Sequence, residues 1–269
     1  MAFLYERKIK MLTYIKTISL SATKAFDGGL LYIFGNYFLK LVQLFVFLLI
    51  WNSLHNQGVD LGIFTIEQLF LYSILASILS EQLNIVTPAT TAFWEGSIIS
   101  RYLKPLPVLV QLSAETVGSW IPKTVFFSIP VLLISIRYFN LSKYLASHGI
   151  MFLLSLSLSI SLGFAFDYIF AAFVIRLRNA HYTAYSIRVA LVTFLSGAVI
   201  PFDFMPYSLA KVLEVLPFGS LASAPLLILT GNGNVASIIS LQVFWNIVLW
   251  PMAVTLFSKS QERMVSYGG

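Results

Sequence analysis

The sequence contains no cysteine, which excludes disulfides and thiolate metal sites. Charge is also scarce. Asp, Glu, Lys and Arg make up 10% of the chain against 58% hydrophobic residues, and the mean hydropathy is +0.84. A soluble domain cannot be surfaced from that composition, so the chain is an integral membrane protein. Histidine is confined to His55, His148 and His181, without metal-ligand spacing. No Gly-Lys-Ser/Thr follows Gly231-Asn232-Gly233 to complete a phosphate loop. Gly-x-Ser-x-Gly and His-Glu-x-x-His are missing too, and nothing supports Glu115 with Asp167 as a catalytic acid pair. The chain therefore reads as a non-enzyme with no cofactor or metal of its own. Its 269 residues suit one compact bundle of about six spans and leave no room for a soluble ATPase.

The charge that is present is basic, net +6. Nucleic acid is not the expected partner, because these residues flank apolar spans, where they act as topology signals and contacts to anionic lipid. Arg7, Lys8, Lys10, Lys16, Lys24, Arg101, Lys104, Arg176, Arg178, Arg188, Lys259 and Arg263 fall on one side of the predicted spans. Arg137, Lys143 and Lys211 fall on the other. By the positive-inside rule both termini are cytoplasmic, which requires an even number of spans.

Residues 4–28 predict an amphipathic helix lying in the membrane interface. Leu4, Met11, Ile15, Ile18, Ala22 and Ala25 share one face, with Glu6, Lys10, Thr17, Ser21 and Lys24 opposite. Asp27-Gly28-Gly29 ends it. The opening residues lack the basic-then-apolar order of a cleavable signal, so the first span is expected to serve as an uncleaved anchor. Spans are predicted at 37–54, 66–86, 108–136 and 149–175. An interrupted fifth follows Arg188, and a sixth runs over 235–257. Residues 137–148 are expected to form an outer loop.

Four polar features lie within these spans. Glu115, Ser119 and Lys123 recur every fourth residue and share a stripe with two possible uses: lining a substrate path, or neutralising polar partners on another helix. Asp167 poses the same alternative. The pairs Ser155/Ser159 and Ser157/Ser161 make small surfaces for close helix packing.

Two proline-rich stretches interrupt the pattern. In residues 88–107, Glu95-Gly96 is a turn and residues 97–103 make a short helix stopped by Pro105. Phe93 and Trp94 beside a charge resemble interface anchors, and Arg101 with Lys104 places the stretch on the cytoplasmic side. In residues 196–231, Pro201 halts an apolar helix after about a dozen residues, short of the ~20 needed to cross. Pro206, Pro217 and Pro225 break the run that follows. Broken backbone at membrane depth survives only inside protein or beside a water-filled cavity, so residues 201–224 are expected to form an outer re-entrant segment.

These two stretches, in this order, resemble the permease subunits of the ABC-2 type of ATP-binding-cassette exporters. Gly96, Arg101, Leu103, Lys104, Pro105 and Leu106 look like the cytoplasmic "G…LL+PL" segment of one bacterial branch. Ser196-Gly197, Ile200-Pro201, Phe204, Pro206, Leu216-Pro217-Phe218, Pro225 and Gly231 look like its segment before the last span, and Gly268-Gly269 suits its terminus. Tyr102 and Lys104 depart from the usual Leu or Arg. The resemblance implies one all-α transmembrane domain over residues 1–269, with six transmembrane helices and an N-terminal connecting helix. It implies a coupling segment at 87–106, through Phe93, Trp94, Glu95, Gly96, Arg101, Tyr102, Leu103 and Lys104, and an outer lid bearing Pro201, Phe202, Phe204 and Pro206. It further implies a bacterial plasma-membrane location, a second permease as homodimer or heterodimer partner, and cytoplasmic subunits that bind ATP and Mg. The expected function is export of an amphipathic substrate such as an antimicrobial peptide, a drug or a lipid. The alternatives are lipid or polysaccharide export on the same architecture, and a non-transporting subunit that senses peptides.

Overall fold

The computed structural model describes residues 2–24, 26–27, 29–174 and 181–266, and among these every regular element is helical. Ala25, Gly28, Arg176, Arg178, Gly268 and Gly269 lie outside the described residues. Four helices are long and apolar enough to cross a membrane: Ile33–Asn56, Val108–Tyr138, Leu141–Val174 and Val235–Ser260. The first belongs to α2 (Gly29–Asn56) and the last to α12 (Val235–Ser266).

The helix over Val108–Tyr138 is composite. It consists of α6 (Val108–Lys123), a π-helical turn (Thr124–Ser128) and α7 (Ile129–Tyr138). Pro122 and Pro130 explain the widened turn: neither ring can donate to the carbonyl four residues back, and each crowds it. The expected outer loop at 137–148 is not there. Only Phe139 and Asn140 separate α7 from α8 (Leu141–Val174), and Asn140 takes a positive φ of 50°, a conformation asparagine tolerates well. Fully buried Leu141 pins the first turn of α8, so the polar residues after it sit on a helix.

The two remaining apolar helices are short. α3 (Ile66–Ile78) opens on a reciprocal cap between Thr65 and Gln68. Its 13 residues rise only about 20 Å. It breaks at Leu79 into the single turn α4 (Ser80–Leu83), where the expected span was continuous. α9 (His181–Leu195) ends before Pro201, at Gly197 with φ +75°. A Cβ there would lie 3.1 Å from both the Phe202 ring and the Ser223 Cβ, and the Tyr72 hydroxyl donates to the Gly197 carbonyl at 2.6 Å. A 3-10 turn (Phe202–Phe204), α10 (Tyr207–Val215) and α11 (Ser223–Thr230) follow. α11 is enclosed by protein along nearly its whole length and closes on Gly231 in the left-handed conformation.

α8 and α12 pack along their length, joined by a polar seam. Gln242, fully buried, donates to the Ser155 and Ser220 carbonyls and the Ser159 hydroxyl, while the Ser155 hydroxyl donates back to it. The Ser155/Ser159 pair thus packs as expected. Ser157 is exposed and bonds within its own helix, and Ser161 accepts from Trp250 Nε1.

The N-terminal helix α1 (Ala2–Lys24) docks lengthwise on α6. The contacts advance together, Ile18 and Ser21 at Gly118, then Phe26 against Phe126, so the two helices run in the same direction. Ser21, expected on the outward polar face, turns toward protein, while Met11, Leu12, Ile15 and Leu20 are exposed. A Cβ on Gly118 would fall 2.6 Å from the Ser21 Cβ and collide with the Ile18 carbonyl. Gly118→Val should therefore lift α1 off the bundle, at about 1–3 kcal/mol of overpacking. Limited proteolysis should cut α1 of the variant at protease concentrations that spare the parent.

Candidate functional site

Residues 87–106 form a compact knob at the end of the bundle where α8 and α12 finish. α5 (Ala89–Trp94) sets Phe93 inward, 3% exposed, with its ring 4.9 Å from Phe257 of α12. The chain reverses at Glu95-Gly96, as expected, with Gly96 at φ +72°. The predicted short helix is a 3-10 helix over Ile99–Leu103. A single turn of that kind forms because Pro105 and Pro107 deny it further residues. Gln111 on α6, 1% exposed, donates to the carbonyls of Arg101 (2.8 Å) and Leu106 (2.6 Å), clamping both ends of the turn.

Arg101 forks onto Glu115 of α6, with Nη1 2.6 Å from Oε1 and Nη2 2.9 Å from Oε2. Paired, planar donors make this the geometrically most specific ion pair available to a carboxylate. Several side chains at the tip of the knob face outward. Leu103 is 89% exposed, Tyr102 and Trp94 about half so, and Glu95 and Lys104 lie at the surface. Partial burial first, and the charge of Glu262 on α12 second, hold the Tyr102 phenol above its ordinary pKa.

A buried cluster anchors the base of the knob. Asp167 of α8 accepts from the Thr87 backbone N–H (2.9 Å) and hydroxyl (2.6 Å), and Arg188 of α9 lies 3.3 Å from it. Arg188 also donates to Asn84 (3.0 Å) and to the Ile85 carbonyl. Asp167 and Arg188 are each only 3% exposed. Arg188, expected to mark a cytoplasmic loop, is instead buried within α9.

The polar stripe of α6 divides. Glu115 and Ser119 line a cavity of about 650 Å³ together with Lys24, Thr91, Trp94 and Tyr185. Lys123 instead meets Glu81 of α4 at 2.8 Å, and Glu81 also takes Lys40 of α2 at 2.9 Å. Lys40 donates in addition to Ser80 (2.8 Å). Asp167 adjoins the cavity through Thr87, which lines it and bonds the carboxylate, whereas Lys123 stands apart from the other three residues expected on a path. Of the expected lid, Pro201 and Phe202 are buried, Phe204 packs 4.8 Å from Trp51, and Pro206 is exposed.

Sequence reasoning missed the Arg188 cluster and the Lys40–Glu81–Lys123 triad. Each member is a lone ion in an apolar helix, which requires a partner, but nothing in the linear order says which one.

Helices of spanning length, tied together by ion pairs of which Asp167–Arg188 is buried, define a multi-pass membrane protein. The chain belongs to the ABC-2 transporter family: the family model described as ABC-2 family transporter protein matches residues 41–268. It is thus a permease subunit of an ABC transporter, not itself catalytic, and the family implies association with ABC ATPase subunits. Neither a curated protein nor a solved structure matches it. α1 and the start of α2 precede the matched region.

Removing one partner of a buried ion pair strands the other charge, at a cost of about 3–5 kcal/mol. Arg188→Ala should lower the thermal unfolding midpoint of the purified chain sharply, and the double variant Arg188→Ala/Asp167→Ala should recover part of the loss. A single variant as stable as the parent would mean that the pair contributes nothing.

Proposed function

We propose that this chain is the membrane half of an ATP-driven exporter in a bacterial plasma membrane, with both termini cytoplasmic. The four long helices, α3 with α4, and α9 with the residues after it make six spans. Residues 201–224, with α10, make the re-entrant lid, and α1, laid along α6 rather than flat in the membrane interface as expected, is the connecting helix, its exposed Met11, Leu12, Ile15 and Leu20 facing lipid. A second permease pairs with it, and cytoplasmic subunits supply ATP and Mg.

One observation carries this reading. The knob over 87–106 is rigid at its root and sticky at its tip. Phe93, Gln111 and the Arg101–Glu115 fork fix it to α6, α8 and α12, while Leu103, Tyr102 and Trp94 face outward. An exposed apolar and aromatic tip on a fixed base is what a docking partner needs. Nucleotide binding can move the spans only by favouring one of their arrangements. The tip takes up that difference and the root passes it to three helices at once. The 650 Å³ cavity, with hydroxyls beside Trp94 and Tyr185, suits an amphipathic substrate such as a drug, a lipid or an antimicrobial peptide.

Affinity purification of the full chain from its native membrane should recover an ATP-binding-cassette ATPase, identified by mass spectrometry. Leu103→Asp should weaken that association by about 2 kcal/mol, roughly thirtyfold, at unchanged membrane content of the permease. Undiminished recovery with Leu103→Asp would remove the docking role of the knob, and recovery of no ATPase would remove the exporter reading.

A further inference from the structure

A cavity of about 250 Å³ lies between α2, the break from α3 to α4, and the end of α9. It shares no lining residue with the cavity beside the knob. Lys40 donates to Ser80 and Trp51 Nε1 donates to Ser73, each at 2.8 Å, so α2 and α3 run antiparallel along its walls. Lys40 follows the start of the apolar run at Ile33 by about 10 Å of helix. In a spanning helix an ammonium at that depth is costly unless it is matched.

The match is incomplete. Lys40 and Lys123 share one carboxylate, Glu81, and among the described residues neither lysine pairs with a second. The cluster therefore carries positive charge in excess. Lys40 and Glu81 both line the cavity, and their side chains keep 28% and 29% of their surface accessible. Of the three donors of an ammonium, Lys40 gives one to Ser80 and one to Glu81, and the Phe127 ring stands 5.9 Å away. From this charged end, Leu44 and Phe47 follow on the next two turns of α2, and Ala198 and Val199 add to the apolar wall. Exposed Gln43 lines the cavity as well, so it reaches the surface of the bundle. At ~30 Å³ per water-sized group the volume holds a head group and the first carbons of one chain, about eight non-hydrogen atoms together.

We propose that this cavity binds the anionic head of a membrane amphiphile, with the head at Lys40 and its alkyl chain along Leu44 and Phe47. A small inorganic anion would answer the excess charge but leave the apolar wall unused, whereas a neutral lipid would do the reverse. A free fatty acid and an anionic phospholipid share the required chemistry. The site lies within this chain and is read on the purified full chain without an ATPase, so its failure would leave the exporter reading untouched.

Two arms distinguish the sources. The chain is reconstituted in phosphatidylcholine nanodiscs containing either oleate, with oleyl alcohol as the neutral control, or phosphatidylglycerol, and retained molecules are read by native mass spectrometry. Retention of oleate over oleyl alcohol identifies a fatty acid, and retention of phosphatidylglycerol over phosphatidylcholine identifies a phospholipid. Lys40→Gln leaves Glu81 its partner Lys123 and should weaken retention about tenfold or more, the equivalent of ~1.4 kcal/mol. Glu81→Gln removes the competing carboxylate and should act in the opposite direction: retention rises, and the bound amphiphile raises the unfolding midpoint by more than it does in the parent. A cluster that only holds helices together gives no such opposed pair of effects. If Lys40→Gln does not fold, Glu81→Gln decides alone. No selective retention in either arm, retention that Lys40→Gln leaves unchanged, or retention that Glu81→Gln fails to raise overturns the proposal.

Discussion

The carboxylate of Asp167 sits in the interior of an apolar bundle, where a lone charge would not be tolerated. Everything at that end of the molecule follows from how it is matched. Arg188 brings α9 to it, Thr87 brings the chain leaving α4, and α8 carries it. Three elements far apart in sequence are thereby held at one point, and the next residues of the chain fold into the knob. An apolar substitute of equal volume would pack as well, but would not tie a backbone N–H, a hydroxyl and a guanidinium to one place.

Among the described residues, three ionic knots tie elements of the bundle together. Arg101–Glu115 locks the knob to α6, Asp167–Arg188 locks its root to α8 and α9, and Lys40–Glu81–Lys123 ties α2, α4 and α6. The opposite end is built by other means. Gly197 and Gly231 turn the backbone, Tyr72 and Gln68 hold the broken segments through their carbonyls, and α11 is swallowed by neighbouring helices. One end is strapped by charge, while the other is an assembly of short pieces.

How much of this was legible beforehand depended on the range of the interaction. Features set by a few neighbouring residues could be read: the turn at Gly96, the stop at Pro105, the packing of Ser155 with Ser159, the broken run after Pro201. The last was misplaced by a few residues, because Gly197 reverses the chain before the proline does. The polar residues of 137–148 suggested a loop, whereas buried Leu141 outweighs them and starts α8 there. Choices among distant partners were not legible. Lys123 had the same chemistry whether it met Glu115, on its own stripe, or Glu81, and Arg188 looked like a surface charge until Asp167 stood beside it. The docking of α1 hangs on Gly118, a residue that carries no signal until a second helix is laid against it.

The chain's lack of cysteine permits a direct test of whether the knob faces the cytosol and meets a partner there. Leu103→Cys introduces a single thiol at its most exposed apolar position. A membrane-impermeant maleimide should fail to label it in intact cells, label it once the membrane is permeabilised, and lose that access when the co-purifying ATPase is bound. Labelling of Leu103→Cys from outside intact cells would place the knob on the wrong side of the membrane and contradict the account.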